Sequence, residues 1–293
     1  MRPATLLRNP APSLLTLTLL PLTACLPQLP DVQTDRTSDS DTAIDPDTFV
    51  KIPAGTFDMG STPGQPEYGY GVHTVTLTHA YYVGVREVTQ GEFTAVMGYD
   101  PASFTDCDGL GPDNCPVEGV TWGEFAAYAN AVSDAAGVQR CYTCAGSGAG
   151  VACDIGMNPY DCTGYRLLTE SEWEGAARCG TDTEFAGSNT SADVAWTSEN
   201  SNDSTHTVAG LAPNACGLYD LSGNVWEWTQ DWHGDYPSGS VTDPTGAESG
   251  SNRVIRGGGW TYTADYASVS LRYDVHPQDS YADLGFRLGR SSP

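Results

Sequence analysis

The most informative segment of the chain is Gly217-Leu218-Tyr219-Asp220-Leu221-Ser222-Gly223-Asn224-Val225-Trp226-Glu227-Trp228. Its centre is a turn at Gly223 and Asn224, bracketed by the acidic side chains of Asp220 and Glu227. Oxygen ligands of this kind suit Ca²⁺, although the two carboxylates could instead cap turns or meet arginines. Trp226 and Trp228 of this segment, together with Trp232, are more typical of core packing than of a ligand platform.

Six further blocks lie on both sides of this stretch, at Phe49–Gly60, Arg86–Gln90, Val117–Trp122, Gly164–Glu174, Arg253–Trp260 and Leu284–Arg287. Together with residues 217–228 they resemble, in the same order, the formylglycine-generating enzyme (sulfatase-modifying factor) family. Seven ordered matches do not arise by chance, so the chain is identified as a member of that family. The resemblance implies a C-type-lectin-like, loop-rich α+β fold over residues 48–290.

Local patterns predict about three helices and a few short strands. Threonine is followed three residues later by glutamate at Thr89–Glu92, Thr121–Glu124 and Thr169–Glu172, which is the capping-box signature of a helix start. Alternating or β-rich runs predict strands at Thr74–Leu77 and Tyr81–Val85. The 33 glycines and 19 prolines favour many loops over a helical bundle.

The resemblance also implies a chemistry that this chain lacks. Oxidases of the family convert a sulfatase cysteine to formylglycine with O₂, and they hold Cu(I) through two cysteines, which are soft ligands. Tyr262 stands at the first of these positions and Ala267 at the second, while Gly259 replaces a family serine. We therefore expect no copper and no catalytic residue.

Two other sites follow from the resemblance. The family binds a structural calcium ion through the side chains that match Asp220 and Glu227 and the carbonyls that match Gly223 and Val225, so Ca²⁺ is the expected cofactor. The candidates for lining the family's groove are Trp260, Tyr262, Tyr266 and Arg272.

The first 47 residues predict export and a lipid anchor. Residues 1–25 carry Arg2 and Arg8, then an apolar run too short to span a bilayer, and end in Leu-Thr-Ala-Cys at Cys25. This ending resembles a bacterial lipobox, in which Cys25 is lipidated; the alternative is an ordinary signal peptide with an incidental cysteine. Because Leu26 rather than Asp follows, we expect the outer membrane of a Gram-negative cell. Residues 26–47 are polar and predict a flexible tether.

The eight cysteines after Cys25 predict four disulfides, because an exported chain with an even number of cysteines is typically oxidised. Cys107–Cys115 and Cys179–Cys216 are the expected pairs at the two ends, and Cys141–Cys162 with Cys144–Cys153 is the expected nested arrangement between them. Eight cysteines allow 105 pairings, so this connectivity is a hypothesis. A zinc site at Cys141, Cys144, Cys153 and Cys162 is the alternative.

The formal net charge of -24, with Lys51 as the only lysine, argues against nucleic acid and anionic lipid head groups as partners. Two functions remain. The first is a non-catalytic binding or structural module of the cell envelope, held at the membrane by Cys25, with an unidentified protein, peptide or glycan ligand. The alternative is an oxidoreductase of the family that works by copper-free chemistry. The missing copper ligands favour the first.

Overall fold

The computed structural model describes residues 48–61 and 71–292. The predicted signal segment with Cys25 and the predicted tether lie outside the described residues. The described part is a loop-rich α+β fold, as the resemblance implied. None of its helices combines the length and the apolar character that crossing a membrane requires.

The predicted helices form where the capping boxes placed them. In each, the threonine hydroxyl accepts from the glutamate N–H and the glutamate carboxylate accepts from the threonine N–H. A fourth helix of a single turn was not predicted, and no capping side chain marks its start. The helices are α1 (Gln90–Met97), α2 (Trp122–Ala135), α3 (Glu170–Arg178) and α4 (Ser191–Val194).

The strands are short, and both predicted strands are among them. In chain order they are β1 (Phe49–Ile52), β2 (Gly55–Met59), β3 (His73–Leu77), β4 (Tyr81–Gly84), β5 (Tyr142–Ala145), β6 (Ala152–Ile155), β7 (Tyr165–Arg166), β8 (Trp226–Trp232), β9 (Val241–Thr242), β10 (Arg253–Arg256), β11 (Arg272–Val275), β12 (Leu284–Gly285) and β13 (Gly289–Ser291).

Two four-stranded sheets organise the described residues. One has the order β1-β4-β13-β7, and all of its neighbours are antiparallel. The other has the order β11-β10-β8-β12, and its last pair is parallel. A smaller sheet joins β2, β3 and β9, while β5 and β6 form a hairpin.

Helix α3 lies in the interior, although it carries three glutamates. Burying a charge is costly unless it is paired, and each of these carboxylates has a buried arginine partner. Glu170 pairs with Arg272 of β11, Glu172 with Arg166 of β7, and Glu174 with both Arg256 of β10 and Arg178 of the helix itself. The ion pairs therefore join α3 to both four-stranded sheets.

The cysteine pairing hypothesis is confirmed. The four disulfides are Cys107–Cys115, Cys141–Cys162, Cys144–Cys153 and Cys179–Cys216. The alternative zinc site is therefore excluded, because all four of its candidate ligands are bonded to one another.

Candidate ligand-binding groove

The two positions that match the family's copper ligands lie in different surroundings. Tyr262 is partly open to solvent, with 37% of its surface exposed. Ala267 is buried at 1% exposure and packs in an apolar cluster with Phe185 and Val194. A methyl group in apolar packing offers a metal no ligand atom, and a phenol is a poor match for Cu(I). The side chains at these positions therefore do not fit a copper ion.

A cavity of about 500 Å³ opens beside Tyr262, and we call it the tyrosine groove. Tyr262, Tyr273 and Tyr281 border it with 37%, 52% and 51% of their surfaces exposed, and the buried Trp226 contributes to its lining. Among the described residues, six large hydrophobic side chains are exposed, and half of them are these tyrosines. Exposed aromatic side chains gathered around a concavity are typical of an interaction site.

Ring contacts hold this aromatic group together. The ring centroids of Trp226 and Tyr262 are 5.6 Å apart, and those of Tyr262 and Tyr266 are 5.0 Å apart. Trp260 is anchored nearby, since its indole N–H donates to the carbonyl of Ala282 at 3.1 Å and its ring meets Phe104 edge-on. Tyr262 thus lines the cavity, and Tyr266 contacts its ring without being part of the lining.

Arg272, the fourth groove candidate, has a different position. Its guanidinium is buried, donates to both carboxylate oxygens of Glu170 at 2.8 and 2.6 Å, and is not part of the cavity lining. Successive side chains of a strand point to opposite faces, so the next residue, Tyr273, emerges into the groove instead.

The polar groups of the groove are mainly acidic. Asp274, Asp279 and Asp283 line it together with His276. Burial raises the pKa of Asp283, which accepts a hydrogen bond from the Thr261 hydroxyl at 2.7 Å. Burial, followed by the nearby charge of Asp283, also raises the pKa of Tyr262. The groove therefore presents phenol and carboxyl groups side by side.

The predicted calcium ligands meet a third carboxylate that the sequence analysis missed. Asp220 and Glu227 are buried, and so is Glu87, which accepts hydrogen bonds from the Asn224 amide at 2.7 Å and the Val225 N–H at 3.1 Å. In the sequence, Glu87 is only a member of the Arg86–Gln90 block that resembles the family. The signal that could have identified Glu87 is its position next to the capping box of α1, where its neighbour Arg86 already forms an ion pair with Glu92.

Arg287 supplies positive charge to this cluster. Its guanidinium donates to Glu227 Oε1 at 2.6 Å, while the Trp173 indole N–H donates to Glu227 Oε2 at 2.7 Å. Burial, together with the charges of Asp220 and Glu227, raises the pKa of Glu87, and burial raises the pKa of Asp220 to about 6. Three carboxyl groups thus surround one guanidinium, and ionising all three would leave an excess of negative charge.

This cluster fits calcium in charge, but several of its carboxylate oxygens already accept hydrogen bonds. A cation would offset the excess negative charge, and one Asp220 oxygen already accepts from the Ala209 N–H at 2.6 Å. Both Glu227 oxygens, however, are engaged by Arg287 and Trp173. Among the side chains that the structure describes, no group of three or more His, Cys, Asp and Glu is arranged to hold a metal ion.

Comparison with known proteins places the chain in a family. A family model described as the sulfatase-modifying factor enzyme 1-like domain matches residues 34–292. Chaperone protein LppX of Paenibacillus barcinonensis is 29% identical over 84% of this chain and 90% of its own length. The formylglycine-generating enzyme of Streptomyces coelicolor is 30% identical, covering 83% of this chain and 89% of its own.

Solved structures give the same result. Treponema denticola variable protein 1 superposes with a TM-score of 0.74 at 35% identity, over 83% of this chain and 95% of that chain. The family match spans most of the sequence, and this structural match spans most of the fold. The chain belongs to the sulfatase-modifying factor family, whose members include the formylglycine-generating enzymes.

Proposed function

We propose that this protein is a non-catalytic binding module of the bacterial cell envelope, which captures a protein, peptide or glycan ligand in the tyrosine groove. The groove is the observation that carries the proposal. Tyrosine provides large, rigid contact area at low cost in conformational entropy, together with a hydroxyl for hydrogen bonding. Here three exposed tyrosines border one cavity on a scaffold fixed by buried ion pairs.

The absence of thiol groups at the copper positions supports binding over oxidation. All eight cysteines in the described residues are in disulfides, and Tyr262 and Ala267 stand where the family holds copper. One relative, moreover, is named as a chaperone, a role that rests on binding.

The catalytic alternative is tested directly. The full-length protein is incubated with Cu(I), O₂ and a peptide that carries the Cys-x-Pro-x-Arg motif of sulfatases, and mass spectrometry follows the thiol. We expect no aldehyde product. Multiple turnovers would refute the non-catalytic assignment and return the protein to the oxidases.

The groove is tested on peptide and glycan arrays. We expect ligands that bind the wild type to be lost when Tyr273 and Tyr281 are both changed to serine. The matched control is Val96→Ser, since Val96 is exposed at 40% on α1 and does not line the groove. If the double variant retains the binding pattern of the wild type, the ligand site lies elsewhere.

We also propose that a calcium ion binds at Asp220, with the carbonyls of Gly223 and Val225 and a shared oxygen of Glu227, and has a structural role. The excess negative charge of Glu87, Asp220 and Glu227 supports this assignment, because a bound cation would offset it.

A ligand that binds only the folded state raises the melting temperature. EDTA should therefore lower it, and Asp220→Ala with Glu227→Ala should abolish that response. An identical melt with and without EDTA, after confirmed metal removal, would contradict the site.

Export with a lipid anchor completes the proposal. Four disulfides are typical of proteins that fold in an oxidising compartment. We propose that Cys25 carries the lipid and that the protein resides in the outer membrane. Labelling of growing cells with a tagged fatty acid should mark the wild type and leave Cys25→Ser unlabelled.

A further inference from the structure

One buried arginine differs from the arginines described above. Arg166, Arg178, Arg256, Arg272 and Arg287 each pair with a glutamate. Arg253 is 2% exposed, and no carboxylate of the described residues lies within ion-pair distance of it. Its Nη1 donates to the carbonyl of Gln230 at 2.7 Å, while its Nε makes no hydrogen bond. Among the described residues, this buried guanidinium is thus left without a direct ion-pair partner.

Two indole rings hold this guanidinium in place. Its central carbon lies 4.2 Å from the ring centre of Trp122 and 3.5 Å from that of Trp232. Stacking on aromatic faces stabilises the cation and fixes its plane, but it does not neutralise the charge. Burial lowers the pKa of Arg253 to about 10, so the group stays protonated at neutral pH. The side chain is therefore a rigid, permanently charged donor.

Arg253 lines a cavity of about 370 Å³ that also includes the first residues of helix α2. Thr121 caps this 14-residue helix by accepting from the Glu124 N–H, and the Trp122 N–H donates to the carbonyl of Pro277 at 3.1 Å. The Gly123 N–H, at the second helical position, has no acceptor among the described residues. The start of a helix carries a partial positive charge and favours anions.

The charged groups around the cavity determine which anion charge it favours. Asp154 is the carboxylate in its lining; it is exposed to solvent, which screens its charge. Asp231 and Asp154 both act on Arg253 from a distance. One guanidinium and one helix end therefore face acidic surroundings in a chain of net charge -24. This balance matches a single negative charge better than a double one.

We propose that this cavity is a binding site for a carboxylate group, held by the guanidinium of Arg253 and the N–H of Gly123 at the start of α2. A carboxylate is planar and accepts paired hydrogen bonds from a guanidinium. The site and the tyrosine groove share no lining residue. The existence of the site therefore does not depend on the function proposed for the groove.

The test is a titration of the ¹⁵N-labelled full-length protein with sodium acetate at pH 7, with chloride replaced at constant ionic strength. We expect saturable shifts of the Gly123 amide and the Arg253 Nε–H signals. In Arg253→Met the apparent affinity should fall at least tenfold. The matched control Arg140→Gln, which removes an exposed arginine paired with Asp134, should keep the wild-type response.

Three outcomes would overturn the proposal. These are shifts that do not saturate, saturable shifts confined to other residues, and an unchanged response in folded Arg253→Met. If that variant does not fold, as judged by circular dichroism, the wild-type shift map decides alone. A parallel titration with inorganic phosphate separates the ligand classes, because we expect it to bind more weakly than acetate. Tighter binding of phosphate would overturn the assignment to a carboxylate.

Discussion

At the scale of single residues, Asp231 is a buried carboxyl group that makes the stability of the fold depend on pH. It is 3% exposed and accepts a hydrogen bond from the N–H of Glu170 at 2.7 Å. Burial, followed by the charge of Glu170, raises the pKa of Asp231 to about 8. The folded state thus holds a proton that the unfolded chain releases near an Asp pKa of 3.8.

The sign of the effect follows from proton linkage. Because the folded state binds more protons, raising the pH from about 4 to about 8 removes stability, with a ceiling of about 1.4 kcal/mol per pH unit for one group. Asn cannot ionise and can still accept from the Glu170 N–H. We therefore expect the melting temperature of Asp231→Asn, followed by circular dichroism, to fall less than that of the wild type between pH 5 and pH 8.

The control for this prediction is Asp279→Asn, at an exposed position of the groove rim. Its melting curve should run parallel to that of the wild type across the same pH range. A parallel curve for Asp231→Asn as well would show that Asp231 ionises normally in the folded protein.

At the scale of elements, the three longer helices were predictable, whereas α4 and part of the groove were not. Each of α1, α2 and α3 starts with a local signal, so the sequence alone places it. Strand β11 reverses the usual preference for burying aromatic residues and exposing charged ones, because Arg272 is buried and Tyr273 is exposed. The cause is Glu170, 102 residues earlier, which makes the burial of Arg272 acceptable. A contact between residues so far apart in the sequence cannot be predicted from a local sequence pattern.

The capping box of α1 gives the prediction at this scale. Thr89 accepts from the Glu92 N–H at 3.2 Å, and its own N–H donates to the Glu92 carboxylate at 2.9 Å. Thr89→Ala removes the first bond and should lower the free energy of unfolding by about 1 kcal/mol, measured by urea denaturation. Thr89→Ser keeps the hydroxyl and should retain most of the stability. Equal losses in the two variants would assign the effect to packing of the methyl group.

At the scale of the whole molecule, the order of the motifs predicted the fold, and the even number of cysteines after Cys25 predicted that all eight of them are paired. The partners could not be derived from the sequence by physical reasoning, because pairing depends on which loops the sheets bring together. The same limit applies to Glu87, which reaches the Asn224 turn from a position 137 residues earlier. Family resemblance could name Asp220 and Glu227 but not this third carboxylate.

The length of the loop that each disulfide closes predicts how much that disulfide stabilises the fold. In the chain-entropy model a crosslink stabilises more when it closes a longer loop. Cys179–Cys216 spans 37 residues and Cys144–Cys153 spans 9. Replacing both cysteines by alanine should cost about 4 kcal/mol for the first pair and about 3 kcal/mol for the second, in guanidinium unfolding. The pairs are matched because all four side chains are half-buried. The reverse ranking would mean that strain or packing outweighs loop entropy.

The position of β13 also constrains how the chain can fold during synthesis. Residues 289–291 lie between β4 at 81–84 and β7 at 165–166, so a late strand fills the interior of a sheet built from early ones. Until those residues have been made, β4 and β7 each expose an unpaired edge, which favours association with other chains. Contacts so distant in sequence also form slowly. The chain therefore has to be protected from aggregation until residues 289–291 are available to pair with both edges.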